Sequence, residues 1–229
     1  HCWRCKNPII FRATEQWFLK IDHNNLRNQL TKAIEEDIHW IPSSGKERIL
    51  GMLKTRPDWC LSRQRYWGVP IPAVICKSCN GKHYLFPEII EVFADVVRKE
   101  GTDAWFKNDI SKFIPPGFVC PHCKKNNFEK TNDILDVWFD SGVSHQAVVK
   151  AMLGYELPID LYLEGSDQHR GWFQSSLIPA MAIEGKPPFK IILTHGFVVD
   201  GQGRKMSKSL GNVISPLDLI KNSGADIVR

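Results

Sequence analysis

The amino-acid sequence predicts an α/β fold, a domain with a parallel β-sheet that is interrupted by a zinc-ribbon module. Residues 159–193 have the pattern of a strand, a helix and a second strand, which implies parallel strands joined by a right-handed crossover. Earlier in the chain, two Cys-x-x-Cys pairs are separated by a long insert, and this is the spacing of a four-thiolate zinc site. The chain has 229 residues, 43% of them hydrophobic, and can therefore bury a sizeable core.

Composition and charge exclude some classes of protein. No stretch approaches the ~18 uncharged apolar residues that a membrane helix requires, and the polar start HCWRCKNP is unlike a signal peptide. The formal net charge of +5 is compatible with an anionic partner and does not establish one. We expect several of the eight tryptophans to line a core or a pocket, because a large aromatic ring is costly on a surface.

The first part of the chain predicts one strand and two helices. Residues 9–21 mix aromatic, β-branched and polar side chains, as a strand does. Ser44 and Glu47 have the spacing of a capping box and predict a helix that runs to Leu53 and ends before Pro57. Between these segments an apolar residue recurs at every fourth position, which predicts a helical stripe of Leu26, Leu30, Ile34 and Ile38.

The paired cysteines predict a zinc ribbon over residues 76–130. Each pair turns two thiolates toward one point, and a tetrahedral ion needs two such pairs. Four sulfur ligands leave no position for water, so this zinc would be structural rather than catalytic. Disulfides, or surface thiols without a partner, are the alternative. The predicted ligands are Cys76, Cys79, Cys120 and Cys123.

A third pair, Cys2 and Cys5, lies at the start of the chain. One pair supplies only two ligands, so it is interpreted as half of a second zinc site whose other half lies upstream of residue 1. The alternative is a fraying terminus with two free thiols.

Polar clusters follow both strands of the predicted strand–helix–strand unit. The strands cover residues 159–163 and 189–193, and the polar clusters 164–168 and 194–196 come directly after them. Ligands of parallel sheets bind where strands end at their carboxyl edges. The first cluster also precedes the helix predicted over 168–184, whose N-terminus favours anions. The order of elements therefore predicts a binding site at this edge.

A basic loop follows, with the sequence DGQGRKMSKSLG over residues 200–211. Its three glycines indicate mobility, and three cations stand within five residues, at Arg204, Lys205 and Lys208. Lysines on a flexible loop suit a reaction in which phosphate charge must be met as it develops. The alternative is an ordinary solvated, lysine-rich turn.

Four segments together resemble the isoleucyl-tRNA synthetase family of the class I aminoacyl-tRNA synthetases. KMSKS (205–209) is similar to the second signature of that class. Valyl and leucyl relatives share this loop and parts of the Trp-Gly segment, but differ in the other two. The other three segments are the Trp-Gly segment DWCLSRQRYWGVPIP (58–72), DVWFDSG (136–142) and LEGSDQHRGWF (163–173). The resemblance covers essentially the whole chain.

The resemblance implies how the chain is organised. Half of a Rossmann-like class I synthetase catalytic domain is expected over residues 56–75 and 131–229, with the zinc ribbon as an insertion. Residues 1–55 would be a stub that follows the family's editing insertion. The upstream His-x-Gly-His signature does not occur, so the chain is expected to be a fragment that is inactive alone. The parent enzyme is expected to be a monomer. A cytoplasmic location is also expected, since zinc thiolates must stay reduced.

The resemblance also implies roles for individual residues in activating isoleucine with ATP and Mg²⁺ and transferring it to tRNA(Ile). Lys205 and Lys208 would be catalytic, acting on the ATP phosphates. The amino-acid side of the site would be formed by Trp138, Gln168 and Trp172. ATP and the adenylate would contact Glu164, Gly165, Asp167, His195, Phe197, Val198, Met206, Ser207 and Ser209.

Each of these roles has a plainer alternative. Glu164 could cap a helix, His195 could be a structural histidine, and Trp138 and Trp172 could be ordinary core residues. Trp67 is expected to pack in the core. For the whole chain, the alternatives are a zinc-ribbon RNA-binding module without catalysis, or a valyl or leucyl relative.

Overall fold

The computed structural model describes residues 1–2 and 5–229; Trp3 and Arg4 lie outside the described part. The strands are, in chain order, β1 (Phe18–Leu19), β2 (His39–Ile41), β3 (Trp59–Cys60), β4 (Ser62–Arg63), β5 (Val74–Cys76), β6 (Lys82–Tyr84), β7 (Phe128–Lys130), β8 (Ile134–Leu135), β9 (Ile159–Gly165) and β10 (Phe189–His195). The α-helices are α1 (Leu26–Lys32), α2 (Ser44–Lys54), α3 (Pro87–Glu100), α4 (Ala104–Lys107), α5 (Val137–Gly142), α6 (Trp172–Glu184), α7 (Pro216–Ser223) and α8 (Ala225–Val228). Within the described residues, none of these helices combines the length and the apolar character needed to cross a membrane.

The chain divides into two compact units that alternate along the sequence. One comprises His1–Leu26 and Arg56–Ser144, and the other comprises Arg27–Thr55 and His145–Arg229. The sequence predicts a different division, in which a ribbon over 76–130 is inserted into the catalytic core. That division stays a prediction.

A three-stranded parallel sheet, in the order β2-β10-β9, forms the centre of the second unit. β9 and β10 pair along their whole length, from Phe189 opposite Ile159 to His195 opposite Gly165. The predicted parallel strand–helix–strand unit is confirmed, because α6 connects these two strands. Parallel pairing needs such a crossover, since a tight turn cannot return the chain to the same end of the sheet.

The two faces of this sheet differ in burial. On one face Tyr162 is buried, and it contacts Trp172 and Ser176 of α6. On the opposite face, Leu161 and Leu163 of β9 are 43% and 53% exposed. The sheet is therefore covered on one side by the elements of its own unit.

The start of α6 differs from the prediction. Residues Ser166–His169 form a short 3-10 turn, and the α-helix begins only at Trp172. The strand and the helix are separated by this turn and by Gly171, which has non-helical φ and ψ of −106° and −116°. The predicted end is confirmed, because Gly185 adopts the left-handed conformation that terminates helices.

Two details predicted near residues 26–53 are wrong. The stripe from Leu26 to Ile38 is buried, but α1 ends at Lys32, a π-helical turn follows, and Ile38 is already extended. The capping box does not form, since Ser43 rather than Ser44 precedes α2, and its side chain makes no capping hydrogen bond. Burial of the apolar side chains fixes the stripe, whereas the backbone of the last turn is free to change pitch.

The first unit contains the zinc-ribbon region. β5 pairs with β6 and β7 in an antiparallel sheet. α3 packs Ile89 and Phe93 into the core beneath it. Phe93 and Trp105 meet edge to face, with ring centroids 5.4 Å apart. Trp105 and Phe113 are completely buried, so the expectation that tryptophans fill a core is met here.

The predicted strand over residues 9–21 is short. Only Phe18 and Leu19 form a strand, β1, which pairs with β3 in an antiparallel ladder. Ile10 and Phe11 are 89% and 97% exposed. A β-rich composition makes a strand only where a second strand is available to pair, and here that partner is two residues long.

Candidate functional site

The two polar clusters predicted at the strand ends are neighbours in space. Thr194 lies opposite Glu164 in the ladder, and His195 lies opposite Gly165. A Cβ atom at Gly165 would lie 2.8 Å from Oδ1 of Asp167, 3.7 Å from Cε1 of His195 and 4.0 Å from a ring carbon of Phe197. The carboxyl edge of the sheet therefore presents a carboxylate, an imidazole and an aromatic ring around a residue without a side chain.

The turn after β9 places Gln168 at the start of α6. Its amide oxygen accepts a hydrogen bond from the backbone N–H of Trp172, at 2.9 Å. Glu164 caps neither helix, because Gly165 precedes the 3-10 turn and Gly171 precedes α6. Its carboxylate therefore lies at the strand end without the capping role that was the alternative.

Trp172 stacks on Tyr162. Their ring centroids are 4.0 Å apart and their planes differ by 8°. The stacking fixes the orientation of the Trp172 indole, which is partly exposed at the sheet edge. A ring held in this way can form one wall of a slot for an apolar side chain.

His169, which the sequence analysis missed, packs beneath the Ser166–His169 turn and contacts its backbone. Its ring is buried, stacks on Trp40 with centroids 5.9 Å apart, and Nδ1 is 2.8 Å from the carbonyl oxygen of Ser166. Burial lowers the pKa of His169, which favours a neutral imidazole that donates from Nδ1. Gly45 makes room for the ring, since a Cβ there would lie 2.8 Å from Nε2.

The basic loop packs back onto the chain that leaves β10. Val199 and Lys205 form an antiparallel bridge, and the Met206 N–H donates to the carbonyl oxygen of Val198 at 3.4 Å. The Lys205 ammonium lies 3.5 Å from the ring centroid of Phe197, a cation–π contact. Lys205 is thereby brought to the same edge as Gly165 and His195.

Lys208 projects from the next turn of the loop and is exposed. In the part of the chain that the structure describes, neither Lys205 nor Lys208 forms an ion pair with a carboxylate. Both ammonium groups could therefore approach an anion without first breaking an ion pair. Met206 and Ser207 are half-buried between the lysines, and the hydroxyls of Ser207 and Ser209 are 3.2 Å apart.

Asp200 and Asn212 were also missed by the sequence analysis. The Asp200 carboxylate accepts hydrogen bonds from the side chain of Asn212 and from the backbone and side chain of Arg204. These bonds, the one from Asn212 foremost, lower the pKa of Asp200 to about 2. The glycines of the basic loop indicate mobility, but hydrogen bonds to the Asp200 carboxylate restrain the loop where it begins.

Trp138 belongs to the first unit, where it lines a cleft of about 680 Å³ together with Tyr66 and Trp67. It lies in the first turn of α5, where its backbone N–H donates to Oδ1 of Asp136. The other carboxylate oxygen of Asp136 accepts from Arg63 at 2.9 Å. The expectation that Trp67 packs in the core is wrong, since its side chain is 94% exposed on the loop between β4 and β5.

The four predicted zinc ligands converge in the ribbon. The sulfur atoms of Cys76, Cys79, Cys120 and Cys123 all lie within 4.8 Å of one another. Cys76 and Cys123 have their sulfur atoms 3.6 Å apart, and those of Cys79 and Cys120 are 3.7 Å apart, well beyond the ~2.05 Å of a disulfide. All four cysteines are free thiols. Four sulfurs at such separations suit a tetrahedral ion with metal–sulfur bonds of ~2.3 Å.

The electrostatics of the cluster differ among its thiols. Burial, together with hydrogen bonds among the thiols, raises the pKa of Cys79 to about 12. Burial acts in the same direction on Cys120, but hydrogen bonds from the backbone of Cys123 and His122, together with those from the Cys79 and Cys123 thiols, outweigh it and lower the pKa of Cys120 to about 7. N–H groups that point at a sulfur stabilise the thiolate, which is the form that binds metal.

The three Cys-x-x-Cys turns share a backbone feature. The residue after the second cysteine has a left-handed φ in each turn, at 62° for Lys6, 54° for Asn80 and 60° for Lys124. Cys120 donates its N–H to the carbonyl of Lys125 and accepts from the N–H of Lys124, and Cys2 does the same with Asn7 and Lys6. The start of the chain therefore has the hydrogen-bond pattern of the ribbon turn. In the described residues, no group of three or more potential metal ligands includes Cys2 or Cys5.

Comparison with known proteins decides the family. The model of tRNA synthetases class I (I, L, M and V) matches residues 4–229. The chain belongs to this class I tRNA synthetase family. Because the match spans both compact units, the zinc-ribbon region is one part of a synthetase domain, and a free-standing ribbon module is not favoured.

Individual synthetases are similar over the whole chain. The isoleucine–tRNA ligase of Thermotoga maritima is 56% identical over 229 residues, and that of Fervidobacterium nodosum is 57% identical over the same length. Each comparison covers 100% of this chain and 25% of the relative. The chain therefore spans about a quarter of the length of these relatives.

Solved structures show the same synthetase fold at low identity. The methionyl-tRNA synthetase of Mycobacterium tuberculosis, in complex with methionyl-adenylate, has a TM-score of 0.58 at 18% identity and covers 98% of this chain and 34% of its own. A LeuRS from Agrobacterium radiobacter K84, in a ternary complex with tRNA and LeuAMS, has a TM-score of 0.50 at 23% identity, over 82% of this chain and 26% of its own. These matches support the class I fold.

Proposed function

We propose that this chain is part of an isoleucine–tRNA ligase, which joins isoleucine to ATP as isoleucyl-adenylate, releases pyrophosphate and transfers the aminoacyl group to tRNA(Ile). The observation that carries the proposal is the identity of 56% with an isoleucine–tRNA ligase over all 229 residues. The relatives at this level of identity are isoleucine–tRNA ligases, which favours isoleucine over valine or leucine as the substrate. A cytoplasmic location is proposed with it, because zinc thiolates require a reducing compartment.

The chemistry needs no side chain as nucleophile. The carboxylate of isoleucine attacks the α-phosphorus of ATP, the bond to the β-phosphate oxygen breaks, and pyrophosphate carries away the negative charge. Lys205 and Lys208 act by electrostatic stabilisation of that charge. Their ammonium groups have no carboxylate partner in the described residues and stand on a loop that packs at the sheet edge. Mg²⁺ bound to ATP would neutralise further phosphate charge.

The adenylate is proposed to bind along the carboxyl edge of β9 and β10. The carboxylates of Glu164 and Asp167 suit ribose hydroxyls, since a carboxylate accepts two hydrogen bonds. Gly165 keeps the backbone open to the ligand, and His195 and Phe197 form the adenine side with the backbone at Val198. The Gln168 amide oxygen has a second lone pair for the ammonium group of isoleucine. Trp172 forms an apolar wall, and the matching role of Trp138 stays a prediction.

Zn²⁺ is proposed as a structural ion. Cys76, Cys79, Cys120 and Cys123 would hold it and close the ribbon, and their spacing supports this. The shared turn geometry supports Cys2 and Cys5 as half of a second site.

The proposal is tested with Lys208→Ala in the full-length protein. ATP–pyrophosphate exchange should fall by about a hundredfold or more, the usual cost of losing one group that stabilises charge in a transition state. The matched control is Lys186→Ala, which removes an exposed lysine between α6 and β10 and should leave exchange unchanged. Exchange at the wild-type rate in Lys208→Ala would contradict the catalytic role of Lys208. Activation of valine in preference to isoleucine by the wild-type protein would contradict the substrate assignment.

A further inference from the structure

The side chains of Asp200 and Asn212 join the two ends of the basic loop. We infer that this pair acts as a clasp whose function is to position Lys205 and Lys208 for catalysis. The inference rests on the proposed function of the two lysines. Asp200 and Asn212 are positioning residues in it, because their contacts are to the loop and not to a reacting group.

Asn212 is the centre of the clasp. Its amide nitrogen donates to Oδ2 of Asp200 at 2.8 Å and approaches the carbonyl oxygen of Lys205 at 3.4 Å. Its amide oxygen accepts from the backbone N–H of Ser207 at 2.9 Å. One side chain thus holds the backbone on both sides of Met206. The two peptide groups that it holds join Lys205 to Met206 and Met206 to Ser207, so they directly follow Lys205 and end one residue before Lys208.

Asp200 fixes the other end. Oδ1 accepts from the backbone N–H groups of Gln202 and Arg204, at 3.0 Å and 2.9 Å. Oδ2 accepts from Asn212 and from Nε of Arg204, at 2.8 Å and 2.9 Å. The Asp200 side chain is only 9% exposed. These are bonds to a charged acceptor, which are about twice as strong as neutral ones.

The loop needs such a clasp because of its composition. Gly201, Gly203 and Gly211 give the chain many alternative conformations, and Gly203 and Gly211 have left-handed φ values of 76° and 67°. Electrostatic catalysis depends on charges that are already in place when the phosphorus is attacked. A clasp formed by two short side chains restricts the glycine-rich loop without covering either lysine.

Side-chain exchange between the two positions provides a sharp test. In Asp200→Asn, the new amide nitrogen is a donor that faces the donors of Asn212 and Arg204, so these hydrogen bonds are lost. In Asn212→Asp, two carboxylates repel each other where the 2.8 Å hydrogen bond stood. Each single variant breaks the clasp. The double variant Asp200→Asn/Asn212→Asp restores a donor facing an acceptor. We expect its rate to exceed that of either single variant.

The measurement is ATP–pyrophosphate exchange by the full-length protein, with kcat and the KM for isoleucine determined separately. For Asn212→Ala we expect kcat to fall by about tenfold or more, with the KM for isoleucine within about twofold of wild type. Asn222→Ala is the matched control, because it removes an exposed asparagine from α7 and should change neither constant.

Three results would overturn the clasp. The first is a wild-type kcat in Asn212→Ala. The second is a rise in the KM for isoleucine together with a fall in the thermal midpoint of the same variant. The third is a double variant that is no faster than the faster of the two single variants. If Lys208→Ala loses exchange while Asn212→Ala keeps it, the clasp fails and the proposed function stands. If Lys208→Ala also keeps exchange, the proposed function itself fails.

Discussion

Gly165 lies where the two polar clusters of the candidate site come closest. Its φ of −68° is open to any residue, so the backbone does not require a glycine there. The available space favours one, because a Cβ atom would stand 2.8 Å from Oδ1 of Asp167. Real Cβ atoms essentially never approach a neighbour so closely. The carboxylate would have to move, and with it the group proposed to bind the ribose.

Gly165→Ala should therefore weaken ATP binding. We expect the KM for ATP in the exchange reaction to rise by about tenfold, which corresponds to an overpacking cost near the low end of ~1–3 kcal/mol. Gly51→Ala is the control, since its Cβ on α2 meets nothing within 4 Å and its KM should not change. An unchanged KM in Gly165→Ala would contradict the prediction that displacing the Asp167 carboxylate weakens ATP binding.

Asp200 gives a second prediction, on pH. Its pKa of about 2 lies below the ordinary 3.8, so the bonds to its carboxylate stabilise the folded loop above pH 3.8. This contribution is lost as the pH falls through about 2, because protonation removes the acceptor. Asn212 is the largest cause of the shift, so Asn212→Ala should raise the pKa of Asp200 toward 3.8. Carboxyl carbon NMR measures this directly, and a smaller rise in Arg204→Ala is the comparison. An equal or larger rise in Arg204→Ala would contradict the order of causes.

Site residues differ in how far the sequence could predict them. Glu164 and His195 were predicted as neighbours because parallel strands end at one edge, and Gly165 followed from the same order of elements. Asp200 and Asn212 follow no period, and their partners are set by the turns of a glycine-rich loop. Neither a period nor a spacing rule identifies such a pair. The polar Asp and Asn at the two ends of the loop were the only signal available.

Among the elements, burial was easier to predict than backbone geometry. The stripe that includes Leu30 and Ile34 is buried as its spacing predicts, because apolar burial is the dominant favourable term in folding. The end of α1 and the start of α6 were not predictable to the residue. A π-turn, a 3-10 turn and a cap differ by about one hydrogen bond each, a small free energy that packing overrides.

The ribbon is the element that should depend most on metal. Its sheet strands are three residues long, and its four cysteine sulfurs all lie within 4.8 Å of one another. We expect the full-length protein to contain at least one equivalent of zinc. Removal by a chelator should increase hydrogen exchange in β5, β6 and β7, since zinc contributes ~10–16 kcal/mol to folding in small modules.

Cysteine variants separate this role from a general effect of thiols. Cys120→Ser should lower the zinc content and raise exchange in the same strands. Cys60→Ser should do neither, because Cys60 lies outside the cluster, with its sulfur 3.6 Å from a nitrogen of Arg63. Equal zinc content in the two variants would contradict a site at Cys120.

For the whole molecule, the two compact units are interleaved in sequence and one family model spans them both. Within the second unit, one face of the parallel sheet remains open, with Leu161, Leu163 and Ile41 each more than 40% exposed. Parallel sheets in α/β proteins are covered on both faces. Since the relatives are about four times as long, we expect the rest of a full-length synthetase to supply the cover.

This expectation can be tested by comparing the 229-residue chain with the full-length protein. A dye that fluoresces on apolar surfaces should bind the short chain more strongly, because a contiguous apolar face is open to water. In the short chain, Leu163→Gln should reduce the fluorescence. Ile183→Gln is the control, since that residue is 64% exposed on α6, away from the sheet face, and its change should have a smaller effect. Equal dye binding by the short and full-length proteins, each per mole, would mean that the open face is not what the remaining chain covers.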